Sequence, residues 1–299
     1  MKKIELLGLK LPEVNTGDDP VKLILDASGN QAGGISDDDV LVITSKILSK
    51  ALGYTIEIEK LIPSKQARRI AEVTGAKPRF IQAILDNSEE VLFAIPVYKL
   101  ASRAESLDKA ARDPEKALAA LKNTSCELIT LRDGLFSANA GLDSSNHPAG
   151  IASVPPSKPD ELARRIRKEI EDRTGHRIAV IITDTEWISP TGTLDCARGS
   201  SGIQVNSRKL GEADLYGKPK YGGLDSIVDE IAGASALLMG QTSEGIPVVI
   251  LRGLEYKRSE EGVADYFQFK SKGARRIVRE VIKTSRKALG LRWLLRLVF

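Results

Sequence analysis

Four short polar stretches carry the residue types from which a phosphate-handling site can be built. In Ser137-Ala-Asn139-Ala-Gly141-Leu-Asp143-Ser-Ser-Asn146, Gly141 lets the backbone turn, and Asp143 and Asn146 follow three residues apart. An Asp supplies a hard carboxylate oxygen suited to Mg²⁺ or Mn²⁺, and an Asn amide can donate to a phosphate or a base. The same run also reads as an Asx-rich surface turn. In Ile181-Ile-Thr183-Asp184-Thr185 an apolar strand ends abruptly in Asp and Thr, where a metal ligand would be held rigidly; a helix cap after the strand is the alternative. Across Met239-Gly240-Gln241-Thr-Ser-Glu244-Gly245-Ile-Pro247, Gly240 and Gly245 permit close backbone approach to a ligand, and Gln241 or Glu244 could coordinate. A glycine-capped loop between helix and strand would look the same. Thr44-Ser45-Lys46-Ile-Leu-Ser49-Lys50 sets hydroxyls and ammonium groups just past a strand, as nucleotide phosphates require, or as a polar helix start provides.

The standard phosphate signatures are missing: the chain has neither G-x-x-x-x-G-K-[ST] nor G-x-G-x-x-G. No Ser-His-Asp set is visible. Of two histidines, His147 borders the first stretch and reads as a chemical group or as a solvent-exposed side chain, and His176 is given no role. So few histidines exclude a His-rich zinc site, and any metal must be held mainly by oxygen. Cys126 and Cys196 cannot make a disulfide framework, and Cys196 is expected in a polar loop.

The elements that would position these stretches follow from periodicity. Residues 3–9 and 39–44 read as strands, and Asp19-Pro20 as a helix start. Pro63-Ser64 opens a helix that Lys77-Pro78 breaks, and a second helix runs to about Asn87. Residues 91–98 are strand-like and 103–122 helical. Residues 126–131 and 135–138 bracket Arg132-Asp133-Gly134, a hairpin signal. Pro155-Pro156 with Pro159 suggests a linker or domain edge. A charged helix over 160–173, an apolar strand over 178–182, a Gly-, Ser- and Thr-rich stretch without period over 186–222, a helix over 224–238 and a strand over 246–251 complete the reading. Strands and helices mix without a βαβ cadence, so an α+β class is expected. The parts are taken as 1–156, an α/β part with nucleotide- and metal-binding residues; 157–256, a second α/β part completing the metal site; and 257–299, a basic tail.

Composition is that of a globular protein: 299 residues, 42% hydrophobic and 28% charged. The formal net charge of +4 argues against a nucleic-acid partner, and it is unevenly spread. Residues 252–299 hold 13 Lys or Arg against 5 Asp or Glu, which leaves the first 251 residues at −4. The first residues lack the apolar run of a signal peptide, and no apolar run is long enough to span a membrane, so a cytoplasmic location is expected.

Taken together, the stretches resemble the coenzyme F420-0:L-glutamate ligase (F420 gamma-glutamyl ligase) family. The matching residues are Leu11-Pro12-Glu13 with Gly17-Asp18-Asp19, then Asp39 through Lys50, Pro63-Ser64 with Ala67, and Ala140-Gly-Leu-Asp143 with Ser145-Asn146. Ile181 through Thr185, Asp229-Glu230, Leu238-Met-Gly240 and Pro247 through Gly253 follow in order, and the likeness is weak near 93–128. The resemblance implies an α+β, two-domain fold forming an intertwined homodimer. It implies a ligase that uses GTP and Mg²⁺ or Mn²⁺, with K⁺ as a further cation, to add L-glutamate to a carboxylate of F420-0 or a related acceptor through an acyl phosphate. It makes Asp143, Asp184, Thr185 and Gln241 the metal-binding residues. Leu11, Pro12, Ser45, Lys50, Asn146, Gly240, Gln241 and Gly245 would meet the nucleotide, and Asp143, Asp184 and Lys50 would act in catalysis, Lys50 offsetting charge as the phosphoryl group moves.

Two departures stand out. Family members continue after Thr-Asp-Thr with Gly-Arg and a further Arg, whereas here Glu186 follows Thr185 and the first arginine is Arg198. Arginines there would suit an anionic acceptor, so their loss leaves open a paralogue with another acceptor or with nucleotide or metal binding alone. Gln241 stands where many members carry an acidic residue or Lys, and a neutral amide is a weaker metal ligand. Beyond the resemblance, Ile277, Val278, Val281, Ile282, Ala288 and Leu289 keep helical spacing among many Lys and Arg, followed by an apolar end with Trp293. This reads as an interfacial helix on an anionic membrane surface, or as an amphipathic helix docked on the body or on a dimer partner.

Overall fold

A computed structural model describes residues 3–101, 111–123, 126–189, 192–266 and 271–290. In chain order the elements are β1 (Glu5–Leu9), α1 (Pro20–Ala32), β2 (Val40–Thr44), α2 (Ser45–Ala51), β3 (Thr55–Glu57), α3 (Lys65–Thr74), α4 (Pro78–Asp86), β4 (Glu90–Ile95) and α5 (Val97–Ala101). After them come α6 (Pro114–Asn123), β5 (Glu127–Arg132), β6 (Leu135–Ala138), β7 (Ile151–Ser153), α7 (Pro159–Thr174), β8 (Ala179–Ser189), β9 (Gly192–Ser201), α8 (Ile227–Met239), β10 (Val248–Arg252), α9 (Val263–Tyr266) and α10 (Ser271–Leu289).

The apolar runs that read as buried strands form the centre of a five-stranded sheet ordered β1-β10-β2-β8-β9. Only β2 and β8 run parallel; the other neighbours are antiparallel. A strand buried on both faces has no reason to alternate. In β2, Leu41 and Ile43 face a core with Ile24 of α1, Leu48 of α2 and Ile166 and Ile170 of α7. Val40 and Val42 face the other side, where Val228, Ile231 and Met239 of α8 pack. The helix start read at Asp19-Pro20 is a real cap: Pro20 opens α1, and the Asp19 carboxylate accepts from the Lys22 N–H at 3.0 Å. Asp39, fully buried, takes a two-pronged ion pair from Arg252, at 2.9 Å from Nε and 2.7 Å from Nη2, which ties β10 to the start of β2.

A second group of elements surrounds its own core. The sheet β4-β5-β6 packs with α3 and α4 through Ile81, Ile84, Leu128 and Ala140, and β3 pairs with β7. The hairpin read at Asp133-Gly134 joins β5 to β6, with both residues at positive φ, 50° and 76°. Strand β4 stops at Ile95, before Pro96, so the expected 91–98 strand gives way to helix α5. Of the helix expected over 103–122, α6 covers the second half, and residues 102–110 lie outside the described residues.

The largest correction concerns 186–222. Its first part is not a loop: β8 continues to Ser189, and β9 returns beside it over Gly192–Ser201. Cys196 therefore lies in a strand opposite Asp184. The register shifts between Ile182 and Thr183 and again between Thr185 and Trp187. Such bulges re-aim side chains within a ladder, and here they bracket the polar residues Thr183, Asp184 and Thr185.

Candidate functional site

Strand β2 ends at Thr44 beside Thr183 of β8, which runs on beyond it, and the loop 240–247 enters β10 at the same end of the sheet. The chain crosses there through Thr44 N–H to Pro247 O at 3.0 Å and Leu11 N–H to Gly245 O at 3.3 Å. These ends, with the turn 138–146 from the second group, enclose a cleft of about 600 Å³. Its walls include Leu11, Pro12, Lys46, Lys50, Glu127, Asp143, Asn146, Asp184, Thr185, Asp195, Gly240, Gln241 and Gly245. Three of the four polar stretches thus meet at one place, and the fourth contributes its lysines. Ser45 reaches it by a hydrogen bond.

At the floor, the Ser45 hydroxyl donates to Asp184 Oδ2 at 2.6 Å, and the Thr185 N–H donates to Oδ1 at 2.9 Å. Burial and the neighbouring Glu186 push the Asp184 carboxyl up to about 7. The Thr185 hydroxyl lies 2.7 Å from Asp195 Oδ1 and 3.1 Å from Gln241 Oε1, and the Gln241 amide donates to Asp195 Oδ1 at 3.1 Å. Asp143 sits on the other wall in an ion pair with Lys46 at 2.7 Å, and its Oδ1 accepts from the Ser145 N–H at 2.7 Å. These partners outweigh its burial and hold the carboxyl below its ordinary value. Asn146 donates to Thr242 O at 3.2 Å, closing the turn onto the 240–247 loop. Glycine suits position 240 because its φ of 65° with ψ of −174° is a backbone conformation that other residues rarely adopt. Lys50 lies mostly inside the cleft wall, with Glu13 at 3.9 Å.

Four residues escaped the pattern-based reading as site groups. Asp195 is buried and central to the Thr185–Gln241 network; the sequence offers for its strand only a Pro-Thr-Gly composition over 190–192, of the kind that favours turns. Lys46 was named only within its stretch. Glu186 is fixed by the Ser137 hydroxyl at 2.9 Å and the Ala138 N–H at 3.0 Å, with Arg198 at 3.6 Å. Strand β9 thus brings the Arg198 guanidinium beside Glu186, where it also donates to Phe136 O at 2.8 Å. Glu127 lines the cleft with Oε2 buried and unpartnered, and burial and Glu186 push its carboxyl up.

The remaining candidates are also placed. His147 is only partly exposed; its Nε2 is buried without a partner, and burial and Lys50 lower its pKa. Burial, with Asp229 and Glu186, pushes the Cys196 thiol up to about 12, which makes it inert.

The donor set suits a hard divalent cation. Asp184, Thr185, Asp195 and Gln241 each have a side-chain oxygen to offer it, and Asp184, raised first by burial and then by Glu186, is a carboxyl that a bound cation would return to its charged form. Among the described residues no group of three or more His, Cys, Asp or Glu forms a ready-made cage. The fit is therefore to an ion that keeps ligand positions for water and phosphate oxygens, as Mg²⁺ does.

A family model described as F420-0:Gamma-glutamyl ligase matches residues 8–253. The coenzyme F420:L-glutamate ligase of Methanosarcina mazei is 36% identical over 256 residues, 85% of this chain and 87% of that protein. Proteins of the same name from Methanothermobacter thermautotrophicus and Archaeoglobus fulgidus are each 34% identical, covering 87% and 84% of this chain and 94% and 91% of their own lengths. With the matched span running from β1 to the end of β10 and enclosing every wall of the cleft, the chain belongs to the F420-0:gamma-glutamyl ligase family of amide-forming ligases.

Proposed function

We propose that this protein joins L-glutamate by an amide bond to a carboxylate of F420-0 or a closely related acceptor, using GTP and Mg²⁺ or Mn²⁺, through an acyl phosphate. The observation that carries the reading is the meeting of two unlike walls in one cleft. The first is an acid-rich wall of Asp184, Thr185, Asp195 and Gln241. The second carries Lys46 and Lys50 beside the glycine loop 240–247. A triphosphate needs both: lysines for its own charge, and a cation between its oxygens and the acids.

A divalent ion held by Asp184, Thr185 and Gln241, with Asp195 behind them, would supply charge neutralisation at the transferring phosphoryl group. Ser45 keeps the Asp184 carboxylate turned toward the cleft. Lys50, with no closer anion than Glu13, is available to the phosphates. Lys46 is shared with Asp143, so Asp143 joins the ion only where a phosphate takes over its lysine. Leu11, Pro12 and Asn146 border the space left for the nucleoside. In the reaction an acceptor carboxylate oxygen attacks the γ-phosphorus and GDP leaves. The amine nitrogen of glutamate then attacks the acyl carbon, phosphate leaves, and the amine gives up a proton. Glu127, with one buried oxygen unpartnered, offers the ammonium group a site on the wall away from the lysines.

A second reading keeps this chemistry with a different acceptor. It is favoured by Glu186, an acid that follows Asp184 and Thr185 and is held by Ser137 and Ala138, in the stretch where the family resemblance leads one to expect arginine. Incubation of the purified protein with GTP, Mn²⁺, L-glutamate and F420-0 separates the readings. A product heavier by one glutamyl residue, with stoichiometric GDP and phosphate, supports the first. GTP-dependent thermal stabilisation without that product supports the second, and neither response refutes both. Light scattering tests the homodimer expected from the resemblance.

A further inference from the structure

Outside the matched span, α10 presents a surface that the cleft does not use. Its 19 residues include seven basic side chains, Lys272, Arg275, Arg276, Arg279, Lys283, Arg286 and Lys287, against one acid, Glu280. At about 100° per residue, Ile277, Val281, Ala288, Leu289 and Ile282 fall within one arc of roughly 140°, and the seven basic residues fall within the opposite one. Ile277 is 48% exposed, Val281 54%, Ile282 44% and Leu289 62%. Among the described elements none packs extensively against α10. The helix ends in a proper cap: Gly290, at φ 72°, donates to Arg286 O at 3.0 Å.

A free helix with such a face leaves apolar area in water that a folded protein normally covers. Its charge decides between covers. The rest of the chain, at −4 over its first 251 residues, attracts a basic helix only weakly. A second copy of α10, packed apolar arc to apolar arc, would cover that face but bring no counter-charge to the basic arc on the other side. A bilayer with anionic headgroups satisfies both faces at once: the apolar arc enters the headgroup–acyl boundary, and the basic arc lies among phosphates. The sequence continues this composition, with Trp293 between Arg292 and Arg296 in a Leu-rich run, although these residues lie outside the described ones. No helix of the described residues is long and apolar enough to cross a membrane, so the contact would be with the surface.

We infer that α10 is an interfacial anchor that holds this protein on anionic lipid surfaces by its Ile277–Val281–Ile282–Leu289 face. The inference is independent of the reaction proposed above. Flotation of the full chain with phosphatidylcholine vesicles, with and without a quarter phosphatidylglycerol, tests it. The expected result is co-flotation with the anionic vesicles only, weakened by raising salt. The double variant Ile277→Glu, Val281→Glu should lose binding by roughly tenfold or more, because both side chains would leave the apolar layer. The triple variant Arg276→Glu, Arg279→Glu, Lys283→Glu should lose it comparably. All these side chains are exposed, so unchanged melting temperatures will show that the body is intact. Three results would overturn the inference: no flotation with anionic vesicles, flotation that survives the Ile277→Glu, Val281→Glu change, or a dimer that this change dissociates while the wild type ignores vesicles.

Discussion

Replacing Asp184 with Asn should make the metal-free protein more stable and the enzyme inactive. In the fold the Asp184 carboxyl rises from an ordinary 3.8 to about 7, through burial and the charge of Glu186. An acid raised in the folded state costs nothing where it is protonated in both states. Stability then falls as pH climbs from about 4 to about 7 and is flat beyond. At about 1.4 kcal/mol per pH unit, the ceiling on that loss is roughly 4 kcal/mol. Asparagine removes the charge but keeps one acceptor: its Oδ1 can take the Thr185 N–H, now at 2.9 Å, while its Nδ2 stands where Oδ2 accepted from the Ser45 hydroxyl at 2.6 Å, so that bond must reverse and both are weakened. Allowing about 1 kcal/mol for each weakened bond, the variant should gain about 1–2 kcal/mol at pH 8, or a few degrees in melting temperature for a chain of this size. Below about pH 4 the gain disappears, because the wild type is then neutral at this site too. The assay is thermal melting in chelator across pH 4–8, repeated with Mn²⁺. The wild type should recover stability on adding the ion, the variant should not, and ligase turnover should be lost. A chelated variant no more stable than wild type at pH 8, or one that responds to Mn²⁺ as wild type does, would refute the reasoning.

Three further outcomes are expected. Glu127→Gln should raise the KM for L-glutamate about tenfold, the worth of one charged hydrogen bond, with the KM for GTP unchanged; equal effects on both would remove Glu127 from the amine site. Asp160→Ala should lower the urea midpoint, costing about 3 kcal/mol, because the buried carboxylate accepts the N–H groups of Ser200, Val263 and Ala264 at 2.8–2.9 Å and nothing else is placed to do so. Its turnover should stay near wild type at temperatures where it is folded. In native protein at pH 8, Cys196, pushed up to about 12, and the buried Cys126, also raised, should resist an aromatic disulfide reagent. Both should titrate in guanidinium, and a fast native thiol at Cys196 would show that β9 does not pair as described.

What the sequence made legible, and what it hid, follows from where the chemistry sits. Residues 40–43 of β2, 248–251 of β10 and 179–182 of β8 are all apolar because both faces of these strands are covered, and they are plain in the sequence. The second half of β8 and the start of β9 are no less regular in pairing, yet they escaped. Once a strand passes the end of its covering helices, Thr183, Asp184, Thr185 and Glu186 replace apolar residues, and a site built into a strand erases the period that reveals strands. Asp184 remained visible because an apolar run stops at it. Asp195 had no such marker: its place beside Thr185 and Gln241 depends on a cross-strand register shifted by two bulges, which no local spacing encodes.

The same logic explains the charge. The cleft gathers Asp143, Asp184, Asp195 and Glu127 around Lys46 and Lys50, with Glu186 acting on Asp184 from close by. The basic excess is segregated onto one arc of a helix that touches none of those acids. Had the two charges been meant to neutralise each other, α10 would lie against the cleft with its lysines inward and its apolar arc exposed to water, the costlier face to leave wet. On the two proposals above, their separation matches different counter-ions: a divalent cation with phosphates for the cleft, and a surface of fixed anions with an apolar layer beneath for the helix.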